Sequence, residues 1–310
     1  MTEAAIDIEG LEKRYGSVRA LENFTMRVEP GAIGLLGPNG AGKSTFIKCL
    51  LGLIHPDAGT GTVLGLDIRT RSMAIRQAVG YMPEDDVVIP RVNAVNYVAF
   101  SGRMVGMSSS DAMARAHEVL SYSGLEEARY RRVEDFSTGM KQRAKLAQAI
   151  VHHPRLVFLD EPTSGLDPKG REEMLSLIAD LTKNHGMSVF FSTHILPDVE
   201  AVCDRVVVLK GGRFIAGGRI DELKKDDTES LVVRIKGDES RFKEILARHG
   251  LAPRRREDGD LEVDIPTRGG GRADATRRVL EAAREASVQV RHLRRGKMSL
   301  EDLFERLVEG

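Results

Sequence analysis

The sequence predicts an α/β protein: a parallel sheet, interrupted by a helical insertion and followed by a small α+β unit. Three observations carry this. Short apolar runs at Ala32–Leu36, Leu156–Leu159, Ser188–Phe191 and Arg205–Leu209 are separated by helical patterns after the first, as in buried parallel strands. Strand character vanishes over 87–155, where helical periodicity dominates. Composition then shifts at the charged stretch Asp221–Glu229, beyond which the patterns follow a β-α-β-β-α-β order.

Taken in order, residues 6–35 read as strands and turns, with Val18–Val28 strand-like and Glu29-Pro30-Gly31 a turn. Ser44–Leu53 fits a helix, because Phe46, Ile47, Leu50 and Leu51 share one face. In the insertion, Ser110–Ser121 and Gly139–His152 read as helices, and Asp111 after three serines is a start signal. Lys169–Lys183 is a helix between two of the strands. Leu231–Ile235, Leu261–Ile265 and Val288–Leu293 read as strands of the last part, with a weak one near Pro253 and helices at Arg241–His249 and Ala273–Ala286. Met298–Val308 reads as a final amphipathic helix. The expected domains are 1–224, with its helical subdomain at about 87–155, and 228–310, for which a ferredoxin-like arrangement is the candidate.

The chain has 310 residues, enough for a substantial core. Lys plus Arg equals Asp plus Glu at 46 each, so no global charge draws it to nucleic acid or an acidic surface. Cys49 and Cys203 lack the spacing of a zinc site or disulfide framework and are expected in the core. The start Met1–Asp7 has no basic or apolar leader pattern, and no uncharged apolar stretch is long enough to span a bilayer. Any membrane part is expected from another chain.

The strongest motif is Gly37-Pro38-Asn39-Gly40-Ala41-Gly42-Lys43-Ser44-Thr45, which matches G-x-x-x-x-G-K-S/T between a predicted strand and a predicted helix. Glycines let the backbone N–H groups turn inward around phosphate oxygens, and the helix N-terminus adds partial positive charge. Lys43 supplies a full charge for the β and γ phosphates, and Ser44 offers a hydroxyl to Mg²⁺. This reads as the phosphate loop of a P-loop NTPase, and by itself it implies a nucleoside triphosphate with Mg²⁺ as the ligand pair; the resemblance that the later motifs carry makes that nucleotide ATP.

Two further motifs extend it. In Leu156–Glu161 four apolar residues precede two carboxylates at a strand's C-terminal end, where open α/β sheets place their ligands. Asp160 suits a direct or indirect role at Mg²⁺, and Glu161 suits the base that polarises the attacking water. Phe136-Ser137-Thr138-Gly139-Met140-Lys141-Gln142-Arg143 precedes a helix, and its small residues suit phosphate; a simple helix cap by Ser137 or Thr138 is the alternative.

In order and content these motifs resemble the ATP-binding subunit of ABC transporters, over about residues 6–220. The resemblance implies an ABC cassette with a parallel core, an antiparallel β subdomain and a helical insertion. It implies that Tyr15 stacks on adenine, that Ser164-Gly165-Leu166-Asp167 crosses a dimer interface, and that His194, in Ser192-Thr193-His194, touches the γ-phosphate and orients Glu161. It implies ATP hydrolysis in a head-to-tail dimer, homodimeric or with a paired ATPase subunit. In that dimer Ser137, Thr138, Gly139 and Met140 of one copy meet nucleotide on the phosphate loop of the other. The implied partner is an integral membrane permease, placing the chain at the cytoplasmic face of the membrane.

Two departures from the family pattern matter. The signature reads F-S-T-G-M where many members have L-S-G-G-Q, and Glu84, in Gly80–Glu84, stands where glutamine is common. Glutamate remains an oxygen donor for Mg²⁺, with a solvated loop acid as the alternative. Both departures, the accessory domain and Met298–Phe304 resemble the subfamily serving type-2 exporters. Docking is expected around Glu84–Val98 and on the helical insertion; Val87, Val88 and Ile89 are partner contacts or core. A soluble ABC ATPase acting on nucleic acid or ribosomes is the rival. The short interval between Lys43 and Ser137 leaves no room for a DNA-repair coiled-coil arm, and a single cassette differs from translation factors. A regulatory nucleotide switch without turnover is the third reading.

Overall fold

The computed structural model describes residues 4–85, 89–224, 230–256, 259–265, 271–296, 300–301 and 303–304. Val87 and Val88, residues 225–229 of the expected linker and most of the expected final helix lie outside them. The chain divides into two compact units, Met1–Ile220 and Asp221–Gly310.

The first unit is built on two sheets. Strands β1 (Ile6–Tyr15), β2 (Val18–Val28), β3 (Ala32–Leu36), β4 (Ala58–Val63), β5 (Leu66–Asp67) and β6 (Val79–Met82) frame helices α1 (Lys43–Leu50) and α2 (Ser72–Ala78). The insertion follows as α3 (Ala94–Met104), α4 (Ser109–Tyr122) and α5 (Thr138–Ile150). Then come β7 (Leu156–Asp160), α6 (Pro168–Lys183), β8 (Ser188–Thr193), α7 (Leu196–Val202), β9 (Arg205–Lys210) and β10 (Arg213–Arg219).

One sheet has the order β2-β1-β4-β5, and the other β10-β9-β3-β8-β7-β6. In the larger sheet the pairs from β9 through β6 are parallel, and β10 folds back antiparallel on β9. Every residue of β3, β7 and β8 is buried, which explains their unbroken apolar runs.

Helix α1 lies between the sheets. Its Phe46 ring is 4.6 Å from Phe24 of β2 and 6.1 Å from Phe190 of β8, which stacks edge-on against Phe158 of β7. This aromatic chain fixes the helix that the phosphate loop enters. The helix ends at Leu50, short of the expected Leu53, because Gly52 takes a left-handed φ of 62°, a common way to stop a helix. At α4, Ser108 Oγ accepts from Asp111 N and donates to the Asp111 carboxylate, so the serine start signal is a reciprocal cap.

The second unit contains α8 (Ile220–Leu223) at its edge, then β11 (Ser230–Lys236), α9 (Glu239–Arg248), β12 (Pro253–Arg255), β13 (Leu261–Asp264), α10 (Gly271–Glu285) and β14 (Gln289–Gly296). Its antiparallel sheet has the order β12-β13-β11-β14, the split β-α-β arrangement. Leu231, Val233, Phe242, Leu246, Val263 and Val279 belong to its separate core.

Candidate nucleotide site

The site forms at the carboxyl ends of β3, β7 and β8. Parallel register sets it: Leu36 pairs with Thr193 and Asp160 with Ser192, so the residues that follow emerge level with one another. The phosphate loop is wedged from behind. A Cβ on Gly37 would stand 2.6 Å from Leu209 O, and one on Gly42, at φ 105°, would stand 2.3 Å from Ala20 O. Only glycine fits either place. Gly42 is also the N-cap of α1 and provides no side-chain cap, so the first turn keeps its N–H groups for a ligand.

Lys43 is buried. Its Nζ donates to Gly37 O at 2.8 Å and Pro38 O at 3.4 Å and lies 3.9 Å from Glu161 Oε1. Burial pulls its pKa down, and the carboxylates of Glu161, Asp160 and Glu84 oppose that. Glu161 is itself buried and takes a left-handed φ of 49°. A non-glycine residue there is strained by about 1 kcal/mol or more, a cost that recurs at functional positions. Its Oε2 accepts from Thr193 Oγ1 at 3.3 Å and lies 3.0 Å from His194 Nδ1. His194 is half exposed, so one ring edge holds Glu161 while the rest faces outward.

Asp160 is 2% exposed, and its Oδ1 has no hydrogen-bond partner. Burial pushes its carboxyl up; the Ser44 and Ser192 hydroxyls and Lys43 beside it pull the other way. Ser44, Glu84 and Asp160 line one cleft of about 460 Å³ with Lys48, Tyr81 and Tyr97. Hydroxyl and carboxylate oxygens suit a hard cation such as Mg²⁺, and an orphaned buried carboxylate oxygen is a place for one. Among the described residues no group of three or more His, Cys, Asp or Glu forms a metal site by itself.

The remaining predicted residues stand elsewhere. Tyr15 ends β1 exposed, with Lys13 Nζ 5.7 Å from its ring centre. Asp57 steadies it by accepting from Lys13 Nζ at 2.9 Å and Arg14 N at 2.7 Å. Ser137 caps α5 by accepting from Met140 N at 3.3 Å, and Ser137 and Thr138 remain exposed. Asp167 caps α6 through Gly170 N at 2.8 Å. A Cβ on Gly165 would meet Thr138 Cγ2 at 3.1 Å, so the departing Thr138 packs on the loop after Glu161. In the expected docking segment, Ala94, Val95 and Val98 are core, while Ile89 lines the cleft.

Sequence reasoning missed a buried clamp behind the site. Asp198 of α7 accepts from Thr163 Oγ1 at 2.7 Å and Arg171 Nε at 2.6 Å, tying the segments after Glu161 and His194 together. No local pattern marks it, because its members come from three separate segments.

The ABC transporter family model matches residues 21–164. An uncharacterized ABC transporter ATP-binding protein of Bacillus subtilis (strain 168) is 41% identical over 71% of this chain and 72% of its own. A daunorubicin resistance ATP-binding protein of Streptomyces coeruleorubidus is 32% identical over 98% of this chain and 96% of its own, so that similarity includes the second unit. A solved ATP-binding subunit of an ABC transporter superposes with a TM-score of 0.64 at 29% identity, over 71% of this chain and 92% of that one. The chain belongs to the ABC transporter family, as an ATP-binding subunit. Its activity is ATP hydrolysis.

Proposed function

We propose that the chain powers an exporter: two ATPase subunits close head to tail around MgATP, and a membrane permease converts closure and reopening into transport. One observation carries the dimer reading. Lys43, Asp160, Glu161 and His194 gather at the carboxyl ends of β3, β7 and β8, whereas Ser137 and Thr138 stand exposed at the start of α5, outside the cleft that Ser44 and Asp160 line. A second subunit, a copy of this chain or a paired ATPase, supplies that start to complete the site. Similarity to a resistance ATP-binding protein over almost the whole chain favours export.

Tyr15 stacks on adenine, and the loop from Gly37 through Pro38, Asn39, Gly40, Ala41, Gly42, Lys43 and Ser44 to Thr45 wraps the phosphates. Ser44, Asp160 and Glu84 are the residues that would hold Mg²⁺, which when bound would supply positive charge against the phosphates. Glu161 polarises the attacking water. The water oxygen bonds to the γ phosphorus while the bond to the ADP oxygen breaks, and the proton that the water gives up passes through Glu161 to the released phosphate. His194 keeps Glu161 aimed and contacts the γ-phosphate. From the opposite copy, Ser137, Thr138, Gly139 and Met140 cover that phosphate, and Asp167 lies in the loop between copies.

Among the described residues no helix is long and apolar enough to cross a membrane. In this reading the permease is a separate chain, and this subunit sits at the cytoplasmic face. Phe100 of α3 lines the cleft and is exposed, and it offers the permease an apolar landing together with the exposed Met104 one turn further along the helix.

Glu161→Gln tests the reading. ATP turnover should fall about a hundredfold or more, and light scattering should show a dimer that persists with ATP and Mg²⁺. A variant that stays monomeric at saturating MgATP sinks the sandwich.

A further inference from the structure

Three polar side chains recur at i, i+3 and i+6 on one face of α5: Gln142, Lys145 and Gln148. Each reaches a different part of the unit. Gln142 Nε2 donates to Ser164 O at 3.1 Å, in the loop after Glu161. Lys145 Nζ donates to the backbone carbonyl of Glu84 at 2.8 Å. Gln148 Oε1 accepts from Tyr97 Oη of α3 at 2.7 Å.

Lys145 is 4% exposed, between neighbours that are alanine and leucine. Withdrawing an ammonium from water is costly, and an apolar residue would pack on this helix without that cost. What Lys145 adds is a fixed donor. Its acceptor belongs to a residue that lines the cleft with Ser44 and Asp160. Anchoring a residue's own carbonyl limits where its flexible side chain can reach. Lys145 also stands about 12 Å along the helix axis from Ser137, on a rigid rod.

We propose that Lys145 is a positioning residue for Glu84: it sets the reach of that carboxylate toward MgATP and ties it to the helix that begins with Ser137–Met140. The inference rests on Glu84 acting as a metal ligand. A displacement of the α5 N-terminus is then carried to the metal side of the same subunit, without passing through the nucleotide.

Nucleotide affinity measures this without turnover. The dissociation constant of the full chain for the β,γ-imido analogue of ATP is taken in EDTA and in excess Mg²⁺, and their ratio is the gain from the metal. Lys145→Met should cut that gain about tenfold while leaving affinity in EDTA unchanged. Lys145→Gln, a polar variant that keeps folding testable, should do the same, and Lys145→Arg should restore most of the gain. In a Glu84→Ala background Lys145→Met should add nothing. If Glu84→Ala lowers the gain and neither Lys145→Met nor Lys145→Gln does, the coupling is wrong and Glu84 remains a ligand. If Glu84→Ala leaves the gain intact, Glu84 is not a ligand and the coupling falls with it. Equal losses in EDTA and Mg²⁺, or in both backgrounds, mark Lys145 as structural and overturn the proposal.

Discussion

Asp160 in the first unit and Asp260 in the second are equally buried, at 2% exposure, and are held in opposite ways. Arg234 grips both oxygens of Asp260, at 2.5 and 3.1 Å, and holds its carboxyl below the usual range, helped by Arg294 and His292. Asp160 keeps one oxygen without a partner, and burial pushes its carboxyl up. Asp198, fully buried in the same unit as Asp160, is saturated by Thr163 and Arg171. Burial alone therefore says little about a carboxylate's role. One that is matched atom for atom holds the fold together, and one left short of partners is available to a ligand.

Asp160→Asn tests the contrast most severely. Turnover should fall at least about a hundredfold, as the metal loses an anionic ligand. The thermal midpoint of the nucleotide-free chain should rise at neutral pH. A carboxyl whose folded pKa is raised costs stability as pH climbs through the carboxylate range, so the neutral isostere gains nothing at low pH and most above it. A fall in the midpoint at neutral pH would break the comparison.

Asp198→Asn should do the reverse and destabilise by about 1–3 kcal/mol, because Thr163 and Arg171 lose a charged acceptor. Urea unfolding measures that loss, and an unchanged midpoint would remove the clamp from the stability account. Asp260→Asn should cost least, since Arg234 is more than half exposed and its pairing is screened. The depressed Asp260 carboxyl contributes stability above the ordinary carboxylate range and loses it as pH falls through its folded value. Hydrogen exchange in β11 should therefore speed up in this variant at neutral pH and match the parent in acid.

The elements that could be read directly were those whose local pattern matches their burial. Strands β3, β7 and β8 are buried throughout, and their apolar runs Ala32–Leu36, Leu156–Leu159 and Val189–Phe191 reflect faces covered on both sides. Strands β4 and β10 gave no such pattern. Gly59 and Gly61 lie against β1, where a Cβ on Gly61 would meet Ile8 Cδ1 at 2.2 Å, and β10 is a largely exposed edge strand, with two adjacent glycines, that exists through its pairing with β9. Close approach and edge pairing are relations between segments, so no window of sequence displays them.

The candidate site divides the same way. Lys43, Ser44, Asp160, Glu161 and His194 stand in short motifs whose chemistry is local, and the sequence by itself marked them and their family. Tertiary structure alone decided how they are poised: the left-handed Glu161, its contact with His194, the orphaned oxygen of Asp160, the Asp198 clamp and the Lys145 anchor. A phosphate loop is a continuous stretch of backbone, so composition and spacing reveal it. Charge balance in a buried site depends on which distant side chains the sheet register brings within hydrogen-bond reach, and that is set only when the strands pair.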